Sequence, residues 1–413
     1  MKCFIFLLLL LCPLLSKTQS CCGEHITEQW SSIFTSDSIY AQNQIDYAGF
    51  NRNISLRIYD ALGNDCPKRP LLILVHGGAF GGGSYTQMAD LAEQFTRRGY
   101  VVISAGYRLG FSSSGPLCPR DTTELIRAWY RGIQDIRGAI RWSKDRHASL
   151  RIDTNLVFAA GWSAGAYISS GIAYLDLEAE KPLQAFELPA LTSGQTTILR
   201  PDLGSVNGNI SLGNHTANIR GFASFSGAFL FPENIPNGRK PAALFFNNKR
   251  DDFSVPFENC DNDLWVYNCP QGFPKVCGIE AMTSTLEQQN IPYDYTVYDT
   301  LPCGHSMHQP CFPFFLEEVN KMAEFFQAQM SCNEIISIQN SPEKSRSRNI
   351  IISSNQTTLP WNLNDKKVDL FSLDGKLITK LQVNNSQILV PSLKPGTYLI
   401  HSETSMPVRL LVN

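Results

Sequence analysis

Gly161-Trp162-Ser163-Ala164-Gly165 follows directly on the apolar run Leu156-Val157-Phe158-Ala159-Ala160. A serine between two glycines at the end of a strand can be turned outward as a nucleophile. The chain must reverse into a helix within about one residue there, and side chains at the flanking positions would clash. Gly-x-Ser-x-Gly alone is a weak pattern, equally produced by an ordinary glycine turn leaving a strand. The assignment therefore depends on partner residues elsewhere in the chain.

Three groups supply what such a serine needs. His76-Gly77-Gly78-Ala79-Phe80 follows the run Leu71-Leu72-Ile73-Leu74-Val75. Adjacent glycines let backbone N–H groups converge on one point, as the oxyanion of an acyl-transfer transition state requires. Gly81-Gly82-Gly83 just downstream shows that the stretch also reads as a permissive turn. An acid to orient an imidazole comes from Asn247-Asn248-Lys249-Arg250-Asp251-Asp252-Phe253-Ser254-Val255-Pro256. Counting from the strand at 242–246 favours Asp251; counting back from Val255-Pro256 favours Asp252, which is preferred. Gly304-His305, after the stretch Tyr295-Thr296-Val297-Tyr298, offers the base that takes the serine proton and returns it to the leaving group. His308 is its local rival. His25, His147, His215 and His401 have no comparable setting and read as surface residues.

These residues need a scaffold, and short apolar runs alternating with helical patterns over residues 50–330 predict an α/β class with a doubly wound, mostly parallel sheet. The runs at 71–75, 100–104, 156–160, 221–225 and 242–246 are nearly continuous in apolar residues, as strands buried on both faces should be. Asp121-Thr122-Thr123-Glu124 is a capping-box pattern. Leu125, Trp129, Ile133, Ile136 and Ile140 follow near helical spacing. One amphipathic helix thus leads into the strand that carries Ser163, and its arginines read as its solvated face.

The order Ser163, then Asp251 or Asp252, then His305 is the order of an α/β-hydrolase, and residues 50–330 resemble one of the carboxylesterase/lipase kind. The resemblance implies that the backbone N–H groups of Gly78, Ala79 and Ala164 form the oxyanion hole. Two departures stand out: Ala79 replaces the third glycine of many relatives and narrows the pocket, and the stretch from Cys260 to Cys277 lengthens the connection from acid to histidine. That stretch reads as a disulfide-stapled insertion near the active site.

At 413 residues, with 43% hydrophobic and 17% charged residues, the chain has room for one large domain and a smaller one. A formal net charge of −2 gives no electrostatic case for nucleic acid or an anionic membrane as partner. Lys2, Phe4-Ile5-Phe6 and a leucine run to Leu11 precede Ser16-Lys17-Thr18-Gln19-Ser20, which reads as a secretory signal too short to remain as a stable membrane span. Cys21 raises lipidation as a second reading, although Thr18 stands where a lipobox has leucine. Cys21, Cys22, Cys66, Cys118, Cys260, Cys269, Cys277, Cys303, Cys311 and Cys332 remain, an even set that reads as disulfides in an exported chain. Cys260 to Cys277 lacks Cys-x-x-Cys pairs and histidine partners, so no metal site is expected.

Composition changes after Cys332. Residues 337–360 are rich in Ser and Asn and read as a linker. Short strand-like runs with Asp374-Gly375 and Pro395-Gly396 turns follow, predicting a small all-β sandwich. The runs Val368-Asp369-Leu370-Phe371-Ser372-Leu373-Asp374-Gly375-Lys376, Leu393-Lys394-Pro395-Gly396-Thr397-Tyr398 and Val408-Arg409-Leu410-Leu411-Val412 resemble a type IX secretion system sorting domain. That resemblance implies passage through the periplasm, by way of the type IX machinery, to the medium or the cell surface. A carbohydrate-binding sandwich is the rival, with Trp361, Phe371 and Tyr398 as its only evident aromatics.

The expected organisation is a signal peptide at 1–20, an α/β-hydrolase domain at 21–336, a linker at 337–360 and a β-sandwich at 361–413. The expected activity is hydrolysis of small-molecule or polymer-linked carboxylic esters, without cofactor or metal. A serine peptidase, or a catalytically silent binding protein on the same fold, is the alternative.

Overall fold

The computed structural model describes residues 23–330, apart from 116, 194–195, 236, 254 and 266–268, together with the strands of a second unit. The signal segment 1–20, Cys21, Cys22 and Cys332 lie outside the described residues. In the first unit eight strands form one sheet: β1 (Ile33–Ile45), β2 (Asn51–Ala61), β3 (Arg69–Val75), β4 (Val101–Ala105), β5 (Ile152–Trp162), β6 (Gly221–Phe225), β7 (Ala242–Asn248) and β8 (Tyr293–Tyr298). Their order is β1-β2-β4-β3-β5-β6-β7-β8. The pairs from β4 onward are parallel, whereas β1 and β2 are antiparallel to their neighbours. This mostly parallel sheet fits the α/β-hydrolase fold.

Alternation along each buried strand divides the core in two. Leu71, Ile73 and Val75 of β3 pack with helices α2 (Thr122–Asp145), α3 (Ala164–Tyr174) and α4 (Ile279–Gln288) on one face. Leu72 and Leu74 pack with α1 (Ala89–Arg97) and α5 (Phe315–Ala328) on the other. Two covered faces explain why the central strands show no polar alternation in sequence. β1 lies ahead of the residue-50 start expected for the sheet, and β2 pairs with it as a hairpin. Two-thirds of the residues in this hairpin are polar or exposed, so it lacks the apolar run that marks a central strand.

The helix expected after Asp121 is present. Asp121 is its N-cap and accepts from the Thr123 N–H. The box is not closed, because the Glu124 carboxylate instead accepts from the Ser112 N–H at 3.1 Å. The larger correction concerns the arginines of α2, which are not a solvated face: Arg127, Arg131, Arg137, Arg141 and Lys144 are each no more than 3% exposed.

Steps of three and four residues put Arg127, Gln134, Arg137, Arg141 and Lys144 on one stripe, and residues 184–186 and 201–218 are laid across it. Arg127 donates to the carbonyls of Gln184, Phe186 and Pro201. Gln134 donates to those of Leu203 and Ser205, and Arg137 to Val206. Arg141 reaches Asn207, Ile210 and Ser211, and Lys144 reaches Thr216 and Asn218. The carbonyls that this segment turns inward against α2 must find donors there. Guanidinium groups with five N–H bonds each are the densest source available.

Arg137 is the centre of this arrangement, since it also donates to Ile172 and Leu175 at the end of α3. Arg137→Met should destabilise the fold by about 3 kcal/mol or more, because the lost donors leave buried carbonyls unpaired. At about 2–4 °C per kcal/mol, thermal unfolding would show the loss. Arg57→Met, which removes a solvent-exposed pair with Asp37, should cost under about 1 kcal/mol. Equal shifts in the two variants would remove the special place of the stripe.

The second unit spans Glu334–Asn413. Its strands lie in the order Asn349–Ile352, Val408–Val412, Gly396–His401, Lys367–Ser372, Leu377–Asn384, Gln387–Leu389 and Thr358–Pro360. All adjacent pairs are antiparallel except the first. Asn349–Ile352 and Thr358–Pro360 fall within the stretch read as a linker, so residues 337–360 are not linker throughout. Trp361 lies outside the described residues.

Candidate active site

β5 delivers Ser163 at the mouth of the sheet. Ser163 adopts φ 54° and ψ −124° as the N-cap of α3, a conformation that costs a non-glycine residue about 1–3 kcal/mol. The neighbouring glycines make that turn possible. A Cβ on Gly161 would lie 2.1 Å from the Gly165 carbonyl oxygen, and one on Gly165 would lie 2.1 Å from that of Val75. The serine turn and β3 are thus in backbone contact.

His305 Nε2 lies 2.9 Å from Ser163 Oγ, and His305 Nδ1 lies 2.8 and 2.9 Å from the two oxygens of Asp251. The preference for Asp252 is not followed by this geometry. The Asp251 N–H donates to the Asn248 carbonyl, which closes a turn at the end of β7 and aims the buried Asp251 carboxylate inward, while Asp252 is exposed. Asp251 also accepts from the Phe253 N–H at 2.8 Å, so its carboxylate is held from two sides. His308 is buried too, yet it stacks on Trp162 at 4.2 Å between ring centroids. His25, read as a surface residue, is only 1% exposed and is held by the Arg98 carbonyl at 2.9 Å.

Several positioning groups carry no signal in sequence. Trp162 Nε1 donates to the His305 carbonyl at 2.6 Å, and Ser226 Oγ donates to the same oxygen at 3.3 Å. Asn248 joins the loops of acid and histidine: its Nδ2 donates to Thr300 and Gly304, and its Oδ1 accepts from the Arg250 and Thr300 N–H groups. Gly304 lets those loops close, since a Cβ there would lie 2.5 Å from the Arg250 carbonyl oxygen. The Cys303–Cys311 disulfide closes the segment that holds His305 and His308. Only the position of Asn248, at a strand end next to an acid, could have drawn attention.

Beside Ser163 the glycine loop turns back with left-handed φ at Gly78 (108°), Ala79 (51°) and Phe80 (58°). No acceptor among the described residues takes the backbone N–H of Gly78, Ala79 or Ala164. Those three donors are therefore open to an incoming oxygen. The Tyr107 ring stacks on His76 at 4.6 Å, and its hydroxyl donates to the His76 carbonyl. Cys118–Cys269 and Cys260–Cys277 staple the insertion that follows Asp251. Ahead of that insertion Phe253 contacts the His305 ring, and within it Trp265 lies 6.1 Å from Phe80 between centroids.

Burial pushes His76 down to about 4. Burial, with the nearby His305 ring, pushes His308 down to about 3. Both rings stay neutral in the fold while the unfolded chain takes protons near 6.5, so below that pH the unfolded state binds more protons and stability falls. The contribution is complete above 6.5 and is lost as pH falls through those lowered values, by about 2 kcal/mol per ring at about pH 5. Urea unfolding near neutrality and near pH 5 measures it. An unchanged midpoint would mean that the rings already carry protons in the fold.

The BD-FAE family model matches residues 56–188, a span that contains both the glycine loop and the serine turn. A probable N-octanoylanthranilate hydrolase, AqdA2, of Rhodococcus erythropolis is 36% identical over 117 residues, 28% of this chain and 24% of that protein. Esterase LipC of Mycobacterium tuberculosis is 33% identical over 132 residues, 30% of this chain and 28% of that protein. The chain thus spans about a quarter of the length of these curated relatives. Among solved structures, the propionate-bound esterase Est2 of Thermogutta terrifontis aligns with 73% of this chain and 96% of its own, at 15% identity and a TM-score of 0.47.

Proposed function

We propose that this chain is a secreted serine hydrolase that cleaves carboxylic esters through an acyl-enzyme. The observation that carries the proposal is the hydrogen-bonded line from Ser163 Oγ through His305 to Asp251, set at a strained serine beside unpaired backbone donors. Matched relatives named as an esterase and a hydrolase support the ester class.

In this reading Ser163 Oγ attacks the substrate carbonyl while His305 Nε2 takes its proton and Asp251 stabilises the imidazolium. The N–H groups of Gly78, Ala79 and Ala164 hold the oxyanion. Collapse of the tetrahedral intermediate expels the alcohol, which leaves with the proton from His305. Water then gives a proton to His305 and attacks the acyl carbon; the second tetrahedral intermediate collapses, Ser163 regains its proton, and the acid leaves.

The tail acts, in the same proposal, as a type IX sorting domain that directs the enzyme through the periplasm to the medium or the cell surface. Its strand runs and the cysteine content of the catalytic unit support that destination. One experiment addresses both parts. A fluorophosphonate probe should label Ser163 in the full chain recovered outside the cell, and a chain lacking residues 340–413 should label equally well but remain in the periplasm. A full chain that resists the probe would remove the enzyme assignment, and normal export of the shortened chain would remove the sorting assignment.

A further inference from the structure

A second cleft, of about 380 Å³, opens where the 207–218 segment crosses the C-terminal end of α2. It is remote from Ser163. Its residues lie beside the last turns of α2 and just before β6 and β7, at the edge where these parallel strands begin, whereas Ser163 and Asp251 follow the ends of β5 and β7. β6 alone separates the two edges by roughly 17 Å.

Two guanidinium groups line this cleft with donors to spare. Arg141 is 3% exposed; its Nε and Nη2 are taken by carbonyls of the 207–218 segment, the strap across α2, while its Nη1 has no acceptor among the described residues. Arg239 gives Nε to Asp176 and Nη1 to Asn218, and its Nη2 likewise has no acceptor among them. Charge here is unbalanced. Among the described residues, Arg137, Arg141, Lys144 and Arg239 outnumber the carboxylates beside them, Asp145 and Asp176; Asp176 also lines the cleft, with one oxygen taken by Arg239 and the other buried without a partner. Burial, together with the charge of Arg239, lowers Arg137 to about 9 and Lys144 to about 8. A guanidinium fork with free N–H groups and surplus positive charge is suited to carboxylate or phosphate oxygens. Asn207, His215 and Thr216 add polar lining, and the volume falls within the range of small-molecule sites.

We propose that this cleft binds a hydroxylated organic anion, with its carboxylate or phosphate on Arg141 and Arg239 and its hydroxyls against Asn207, His215 and Thr216. The bound anion neutralises the crowded cations and ties the strap to α2, independently of any chemistry at Ser163.

Calorimetric titration of the full chain with gluconate, glucose 6-phosphate, inorganic phosphate and glucose tests the site. At least one of the two hydroxylated anions should bind once per chain with a Kd of about 1 mM or lower, and glucose at least about tenfold more weakly. The arms separate carboxylate from phosphate recognition, and phosphate alone from recognition of the hydroxylated body. Arg239→Gln should weaken binding about tenfold or more and leave ester hydrolysis within about twofold. Because Arg239 also pairs with Asp176, Asn207→Leu provides a second variant that fills the cleft without removing a charge, and it should abolish binding too. Saturable binding of neither hydroxylated anion, equal binding of glucose, or undiminished affinity in a folded variant would overturn the proposal.

Discussion

Ser163→Ala should lower kcat/KM for p-nitrophenyl acetate by roughly 10⁴-fold or more, the scale on which triad nucleophiles fail when removed. The oxygen lost is the one 2.9 Å from His305 Nε2, so His305 is left with no hydroxyl to deprotonate and no acyl-enzyme can form. The backbone donors around Ala79 and Ala164 remain, which is why a small residual rate over water is expected. Stability should change little, because alanine meets the same left-handed φ as serine. A folded variant that retains turnover within about tenfold would contradict the nucleophile assignment outright.

Asp251→Asn should lower kcat by roughly 10⁴-fold, while Asp252→Asn leaves it within about twofold. The asymmetry is a matter of tautomer. The Asp251 carboxylate accepts at His305 Nδ1, which places the ring's proton on Nδ1 and leaves the lone pair of Nε2 facing Ser163. An amide there can offer an N–H instead, turn the tautomer round and block proton transfer from the serine. Asp252 is exposed and makes no such bond. Kinetics of the two variants at neutral pH, each checked for folding, would give opposite results if Asp252 were the partner.

Much of the site was legible because its residues follow the ends of strands, and buried parallel strands announce themselves as apolar runs. Gly161, Gly165 and Gly304 were readable for a related reason: each occupies a backbone approach at which a Cβ would sit within about 2.5 Å of a carbonyl oxygen. Asp251 and Asp252 were not separable, because neighbours of one chemical type differ only in the direction the turn gives them. Trp162 and Ser226 act on a loop far away in sequence, so nothing local marks them.

The sequence by itself determined the serine turn, the glycine loop, the order of the candidate site residues and the alternation that makes a doubly wound sheet. These follow from short-range backbone sterics and from the two-sided burial of strands. Only the tertiary structure decided which aspartate faces His305, and that the arginines of α2 are inside. A stripe of cations reads as a wet face until a segment 57 to 74 residues downstream is laid across it. Its unpaired carbonyls then give those side chains a buried use that no local pattern of charge can express.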